Sequence, residues 1–242
     1  IVGLCGTAFY KGLYIVTQTR IEHPWLIFLL PFAGLLIVGL YHALKNLNDG
    51  GTNLVISAIH SGDELPLRMA PLIFISTLIT HLFGGSAGRE GAALQMGGSI
   101  GNSLGKLFRF DEKDKHIMIM CGMSAAFSSL FGTPMAAAIF ALEVISIGIM
   151  HYSALVPCVT SAMIAHFVAN FFRVKPESFT VAEIPPMDPV IFFKVIAFAG
   201  LIGGVSVLFC MILHGTEHIY KKLLKNPYTR IFVAGCIIIL LT

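Results

Sequence analysis

An arginine and a carboxylate, Arg89 and Glu90, stand together inside the glycine-rich stretch GGSAGREGAALQMGG of an otherwise apolar chain. Gly84, Gly85 and Gly88 give this stretch backbone freedom and allow a ligand to approach the backbone closely. The residues after Glu90 are good or fair helix formers, so we expect Glu90 near a helix N-terminus. Unpaired N–H groups and a partial positive charge make such an end a ready anion site.

The carboxylate of Glu90 is itself an anion and could occupy that helix-end site. Its protonation would release it, and a mobile anion entering the same site would compete with the ionised side chain. One side chain could therefore act as both gate and proton carrier. The alternative is that Arg89 and Glu90 are a charged pair at a helix cap, although ionisable residues inside a membrane are by default functional hypotheses.

Two other segments predict helix starts. In NLNDGGTNLVISAIHSG, Gly51 supplies a flexible turn, and Thr52 and Asn53 are favoured N-cap residues before an apolar run. This helix end could face the same anion, although the motif by itself indicates only a capped helix. In FGTPM, Thr133 is expected as the cap and Pro134 as a residue of the first turn.

The composition indicates the environment of these helices. Of 242 residues, 56% are hydrophobic and 12% charged, and the mean hydropathy is +0.83. Soluble domains average about 45–50% apolar and about 25% charged residues, so the chain is predicted to be an integral membrane protein. The net charge of +3 comes from scattered basic residues, which gives no support to nucleic-acid binding. The five cysteines lie singly in apolar segments, so no disulfide framework, metal site or cofactor is predicted.

Glycine and proline interrupt the apolar segments of the chain. These segments cover residues 1–17, 25–44, 67–85, 91–108, 116–131, 134–150, 153–172, 188–213 and 229–242. Several are too short to cross a bilayer squarely, as is typical of broken helices that enter a membrane without spanning it. Irregular backbone at membrane depth must line an aqueous cavity or be buried in protein, so a polar cavity is expected.

The domain organisation is predicted from one long polar segment, RVKPESFTVAEIPPM, at residues 173–187. We interpret it as a connector between a first membrane repeat, residues 1–172, and the opening of a second repeat, residues 188–242. The segments IVGLCGTAFYKGL and LIGGVSVLFCMIL are weakly similar, which agrees with internal repeats of a transporter. The chain opens and closes in apolar runs, which favours a piece of a longer protein. Within it, glycines at four-residue spacing after Glu90 predict a close helix–helix contact.

These motifs resemble those of a known family. GSAGREGAALQMGGSIG resembles the GREGP-type motif of the CLC chloride channel and transporter family, and DGGTNLVI takes the place of its GSGIP motif. GMSAAFSSLFGTPMAAAIFALEVI is similar to the stretch that follows in the family. The resemblance implies an all-α integral membrane fold of broken and re-entrant helices. It also implies a homodimer whose interface partly uses segments after Pro134.

The departures from the family's motifs resemble its fluoride/proton antiporter branch. No serine stands at Thr52 or Asn53, where the family's anion-coordinating serine is expected, and Ala92 replaces the proline of GREGP. The resemblance implies exchange of fluoride for protons across a cell membrane, with Glu90 as the gating glutamate. The implied anion-binding positions are Gly51, Thr52, Asn53, Gly88, Arg89, Gly91 and Ala92.

Other functions remain open at this point. A chloride/proton antiporter or a voltage-gated-type chloride channel of the same family is the nearest alternative, and anion selectivity would separate them. The internal proton glutamate of the chloride/proton antiporters aligns with Val144, beside Glu143, which leaves the internal proton route undefined. The segment HGTEH, from His214 to His218, matches an H-x-x-E-H zinc pattern, but such a short match is common by chance and no enzyme is predicted.

Overall fold

Every regular element in the described part of the chain is helical. The structure is a computed structural model, which describes residues 1–44, 51–61, 65–145, 151–175 and 188–242. The helices in these ranges are α1 Val2–Glu22, α2 Leu30–Ala43, α3 Thr52–Ser61, α4 Met69–Leu82, α5 Arg89–Leu107, α6 Glu112–Phe131, α7 Pro134–Glu143, α8 Tyr152–Phe171, α9 Pro189–Leu223 and α10 Pro227–Leu241. A 3₁₀ turn, Pro24–Leu29, leads into α2.

Three helix starts were predicted at glycine or proline, and all three are confirmed. α3 begins at Thr52, α5 at Arg89 and α7 at Pro134. α3 and α7 have 10 residues each, too few to cross a hydrocarbon core of about 30 Å. Thr133 is the N-cap of α7, as predicted, whereas Thr52 is already the first residue of α3. The chain turns at Gly51, whose φ is +62°, and Thr133 holds the N-cap position without a side-chain hydrogen bond.

Membrane insertion agrees with the lengths of the longer helices. Within the described ranges, three helical stretches are long and apolar enough to cross a membrane: Pro24–Ala43, Tyr152–Phe171 and Pro189–Leu223. Shorter apolar helices, α4, α7 and α10, accompany them. Long spans beside short broken helices are the combination that the glycine-interrupted sequence predicts.

Small residues hold the centre of the fold together. Gly97 of α5 faces Gly122 of α6, and a Cβ added at Gly97 would lie 2.7 Å from the Cβ of Ala126 and would clash with the Gly122 carbonyl. α6 in turn packs on α8, where Ser124 Oγ donates to the Cys158 carbonyl at 3.0 Å. The hydrophobic effect does not drive helices together in lipid. Helices that approach this closely are instead held by van der Waals contacts and by side-chain hydrogen bonds. The predicted glycine contact is therefore confirmed.

α9 is longer than its apolar segment predicts. The apolar run ends at residue 213, but the helix continues through Gly215 and Thr216 to Leu223. An ion pair of 2.6 Å between Glu217 and Lys221, one turn apart, stabilises this extension. α9 has no buried residue, and its apolar side chains are exposed along its length. Of the predicted connector, only residues 173–175 lie within the described residues, so the division into repeats stays a prediction.

We predict that Gly97→Ala destabilises the protein by about 1–3 kcal/mol, because the added methyl overpacks the contact between α5 and α6. An alanine in an open helix position would instead stabilise by up to about 1 kcal/mol, so the sign of the effect is informative. The measurement is the thermal unfolding midpoint of the purified protein. Gly105→Ala is the control, because its tightest contact would be with Cγ of the flexible Lys115 side chain, at 3.0 Å, and the Lys115 Cα would lie at an ordinary 3.5 Å. Equal midpoints for the two variants would contradict the close contact.

Candidate anion site

The N-terminus of α5 presents a carboxylate at its own cap. Gly88 is the N-cap, with φ −70° and ψ 141°, and Glu90 lies in the first turn, where the helix macrodipole favours negative charge. The Glu90 side chain is exposed and lies back over the cap, since a Cβ added at Gly88 would stand 2.9 Å from Glu90 Oε2. Glycine at position 88 therefore leaves the space that the carboxylate occupies.

The N-terminus of α3 meets that of α5 at this point. A Cβ added at Gly91 would lie 3.0 Å from Thr52 Oγ1, and one added at Gly51 would lie 3.7 Å from Gln95 Nε2. Gln95 Nε2 donates a hydrogen bond to Thr52 Oγ1 at 3.4 Å. The structure therefore brings together the two glycine-led helix starts that the sequence singled out separately.

Gln95 was missed by the sequence analysis, although its side chain links the two helix starts. It follows Gly91 by four residues, so it lies on the same face of α5 as that glycine. This spacing is the signal that could have identified it. A half-buried glutamine one turn inside the helix can hold the Thr52 hydroxyl while the backbone N–H groups stay available to a ligand.

Three predicted site residues occupy different surroundings. Arg89 is half-buried and lines a cavity of about 320 Å³ between α1, α4 and the start of α5, together with Tyr10, Leu13, Tyr14, Thr17 and His81. Ala92 is only 7% exposed and packs in the hydrophobic core, so it can offer a ligand no more than its backbone. Asn53 is exposed in the first turn of α3.

Helix α1 supports the glycine loop that precedes α5. The Arg20 guanidinium packs on Gly84, whose φ of +79° and contact with Arg20 both exclude a side chain. The Gly85 N–H donates to the Thr80 carbonyl at 2.8 Å, which closes the end of α4. The buried Nε2 of His81 has no hydrogen-bond partner. The loop is thus fixed by backbone bonds and by a cation from α1.

The position that aligns with the internal proton glutamate is apolar in its packing. Val144 follows the last residue of α7 and packs against the hydrophobic core. Its neighbour Glu143 is exposed. Position 144 therefore contributes no titratable side chain, and the internal proton route stays undefined.

The HGTEH segment lies on an exposed part of α9. His214 Nδ1 pairs with the Cys210 carbonyl at 2.8 Å, and Glu217 is committed to Lys221. Within the ranges that the structure describes, no group of three or more His, Cys, Asp or Glu side chains is placed to hold a metal ion.

Residues 33–242 match the voltage gated chloride channel family, and the chain belongs to this CLC family of membrane anion transport proteins. It is 39% identical over 240 residues to a chloride/fluoride channel protein of Pseudomonas syringae pv. tomato, covering 98% of this chain and 53% of that protein. It is 26% identical over 252 residues to the H(+)/Cl(−) exchange transporter ClcA of Cronobacter sakazakii, covering 97% of this chain and 54% of that protein. The chain therefore spans about half the length of the curated relatives it matches.

Solved structures agree with this family membership. The crystal structure of a CLC-type fluoride/proton antiporter superposes with a TM-score of 0.94 at 34% identity, over 99% of this chain and 61% of that chain. A slow cyanobacterial Cl⁻/H⁺ antiporter superposes with a TM-score of 0.80 at 20% identity, over 98% of this chain and 60% of that chain, which shows the fold alone. The predicted family and its all-α membrane fold are confirmed, and these relatives are named as channels and exchangers rather than enzymes.

We predict that Gln95→Leu weakens the apparent fluoride affinity of the full-length parent by about two- to tenfold. The variant keeps the volume of the side chain but removes a donor whose net contribution is about 1 kcal/mol. The measurement is fluoride titration by calorimetry in detergent. Ser103→Ala is the control on the same helix, because the Ser103 hydroxyl bonds only to the Ser99 carbonyl, at 2.8 Å. An unchanged fluoride affinity in Gln95→Leu would remove this residue from the site.

Proposed function

We propose that this chain supplies part of the anion pathway of a fluoride/proton antiporter, with Glu90 as its gating and proton-carrying group. The observation that carries the proposal is the meeting of two helix N-termini beside this carboxylate. Glu90 lies over the cap of α5, and within the described residues its side chain has no hydrogen bond or ion pair. A charged group placed without a partner at a broken helix is free to move.

Competition at one site supports coupled exchange. The N–H groups at the starts of α3 and α5 attract either the Glu90 carboxylate or a mobile anion, but not both at full occupancy. Protonation removes the charge of Glu90 and vacates the site, so an anion enters as the side chain takes up a proton. Return of the carboxylate to the cap expels the anion after the proton is released. The exchange is an antiport when the proton reaches Glu90 from the side of the membrane opposite to that from which the anion enters.

The lining of the proposed site suits a small anion that accepts strong hydrogen bonds. The Thr52 hydroxyl is held by Gln95, and no serine stands at the start of α3. Coordination then falls mainly to backbone N–H groups, which glycines at positions 88 and 91 allow an anion to approach closely. Relatives at 39% and 34% identity that are named for fluoride support the same selectivity.

The proposed setting is a homodimer in the cell membrane that exports fluoride. Exposed apolar side chains on α7 and α8, among them Met135, Ile139 and Phe167, offer a surface to a second copy or to lipid. The alternative function is chloride/proton antiport or chloride conduction by the same pathway. The 26% identity to a relative named as an H(+)/Cl(−) exchange transporter supports this alternative.

We predict that Glu90→Gln abolishes proton coupling in liposomes that contain the full-length parent. The variant keeps the size of the side chain but can neither carry a charge nor exchange a proton. Fluoride efflux and proton uptake are recorded together, with an electrode and a pH-sensitive dye. Glu143→Gln is the matched control, because it neutralises an exposed carboxylate at the C-terminal end of the short helix α7. Coupling that survives in Glu90→Gln would reduce Glu90 to a helix cap.

We also predict that Asn53→Ser raises chloride transport relative to fluoride by about tenfold. The shorter side chain makes room for a larger anion and presents a hydroxyl donor at the exposed start of α3, an interaction of about 1–1.5 kcal/mol. Initial efflux rates in separate fluoride and chloride gradients give the ratio. If the wild-type parent already passes chloride as fast as fluoride, the fluoride assignment is wrong and the chloride alternative holds.

A further inference from the structure

A second, strongly basic cavity adjoins the one that Arg89 lines, with Tyr10 and Tyr14 in both linings. It has a volume of about 380 Å³ between α1 and the end of α8, and its described lining is Tyr10, Lys11, Tyr14, Ile15, Arg173 and Lys175. Three of these six side chains are cationic and none is a carboxylate. Lys11 and Lys175 come from opposite walls, so the positive charges converge on the space between the two helices.

None of the three cations has a carboxylate partner in the described part of the chain. Lys11 Nζ lies 5.4 Å from the centroid of the Phe172 ring, a cation–π contact that orients the ammonium without neutralising it. The Tyr10 hydroxyl donates to the Lys175 carbonyl and so ties the end of α8 to α1. The charges are thus held near one another by a fixed backbone, and no carboxylate of the described residues relieves their mutual repulsion.

The backbone at Arg173 points to a reason for this arrangement. Arg173 has a φ of +58°, a left-handed conformation that normally favours glycine after a helix. The turn is closed by the Arg173 N–H to the Asn170 carbonyl at 2.9 Å and by the Val174 N–H to the Ala169 carbonyl at 3.0 Å. This turn fixes the direction in which the chain leaves α8 and places the Arg173 side chain in the wall of the cavity.

The rim of the cavity is apolar and exposed. Tyr14 of its lining is 60% exposed and Ile15 is 62% exposed. An occupant of matching chemistry has a negatively charged head and an apolar tail. Basic pockets between transmembrane helices bind the headgroups of anionic lipids, and exposed aromatic side chains suit the same interfacial depth.

We propose that this cavity binds the phosphate of an anionic phospholipid, with Lys11, Arg173 and Lys175 around the headgroup and the exposed rim against the acyl chains. The bound lipid relieves the repulsion among the three cations and clamps α1 to the end of α8. None of these cations belongs to the proposed anion pathway at Glu90, so the lipid site does not depend on the transported ion.

The test uses native mass spectrometry of the full-length parent, titrated with phosphatidylglycerol and, separately, with phosphatidylcholine. We expect wild type to retain phosphatidylglycerol in preference to phosphatidylcholine. Arg173→Gly should weaken phosphatidylglycerol binding by about fivefold, the effect of one cation near a lipid headgroup. This variant removes the charge and also the backbone strain, so folding should not suffer. Lys11→Gln should weaken binding to a similar extent from the opposite wall.

Arg109→Gly is the matched control. Arg109 also follows a helix with a left-handed backbone, φ +57°, and the next N–H, of Phe110, donates to the Gly105 carbonyl at 3.0 Å. Three carboxylates, Asp111, Glu112 and Asp114, stand among the four cations from Lys106 to Lys115, whereas the described lining of the basic cavity holds none. Arg109→Gly should bind phosphatidylglycerol as wild type does.

Two results would overturn the lipid site. One is phosphatidylglycerol binding that is unchanged in both Arg173→Gly and Lys11→Gln. The other is displacement of phosphatidylglycerol by millimolar inorganic phosphate, which would assign the cavity to a free anion rather than to a lipid. A lipid headgroup anchored by its acyl chains should resist that displacement.

Discussion

The close approach of the α5 and α6 backbones is the constraint on which the rest of the structure depends. Gly97 and Gly122 let the two helices touch, and α6 then holds α8 through serine hydroxyls such as that of Ser124. Because α5 is packed along its middle, its N-terminus is presented at a defined place, with Glu90 exposed in the first turn. A rigid helix body with a free end is what allows one side chain at that end to move without unfolding the fold.

The start of α5 answers two opposed requirements. A helix N-terminus needs negative charge or hydrogen-bond acceptors, yet a permanent partner would block a transported ion. Glu90 meets the first requirement through its negative charge in the first turn, without a hydrogen bond, and protonation can withdraw that charge. Gly88 makes this possible by leaving the space over the cap empty of side chain. The proposed mechanism therefore uses the ordinary chemistry of helix capping.

Much of this arrangement could be predicted from the sequence because glycines and prolines mark it. The starts of α5 and α7 follow from GREG and from Pro134, and the helix contact follows from the glycine spacing. The length of α9 was missed because Gly215 and Thr216 are poor helix residues, although the four-residue spacing of Glu217 and Lys221 is a signal that favours helix there. Gln95 and the basic cavity were also missed. A lone glutamine looks like any polar helix residue, and the walls of the cavity are far apart in the chain.

The hydrogen bond between Gln95 and Thr52 sets two timescales for the gap between α3 and α5. The helices are held by packed backbone, and shifts of such elements take microseconds to milliseconds. The link across the gap is a single long bond of 3.4 Å from a half-buried amide, and side-chain rotations are much faster. The gap can thus loosen and close again many times during one helix movement. An ion between the two helix ends would therefore meet a side-chain link that opens and closes quickly, while the helices on either side of it stay in place.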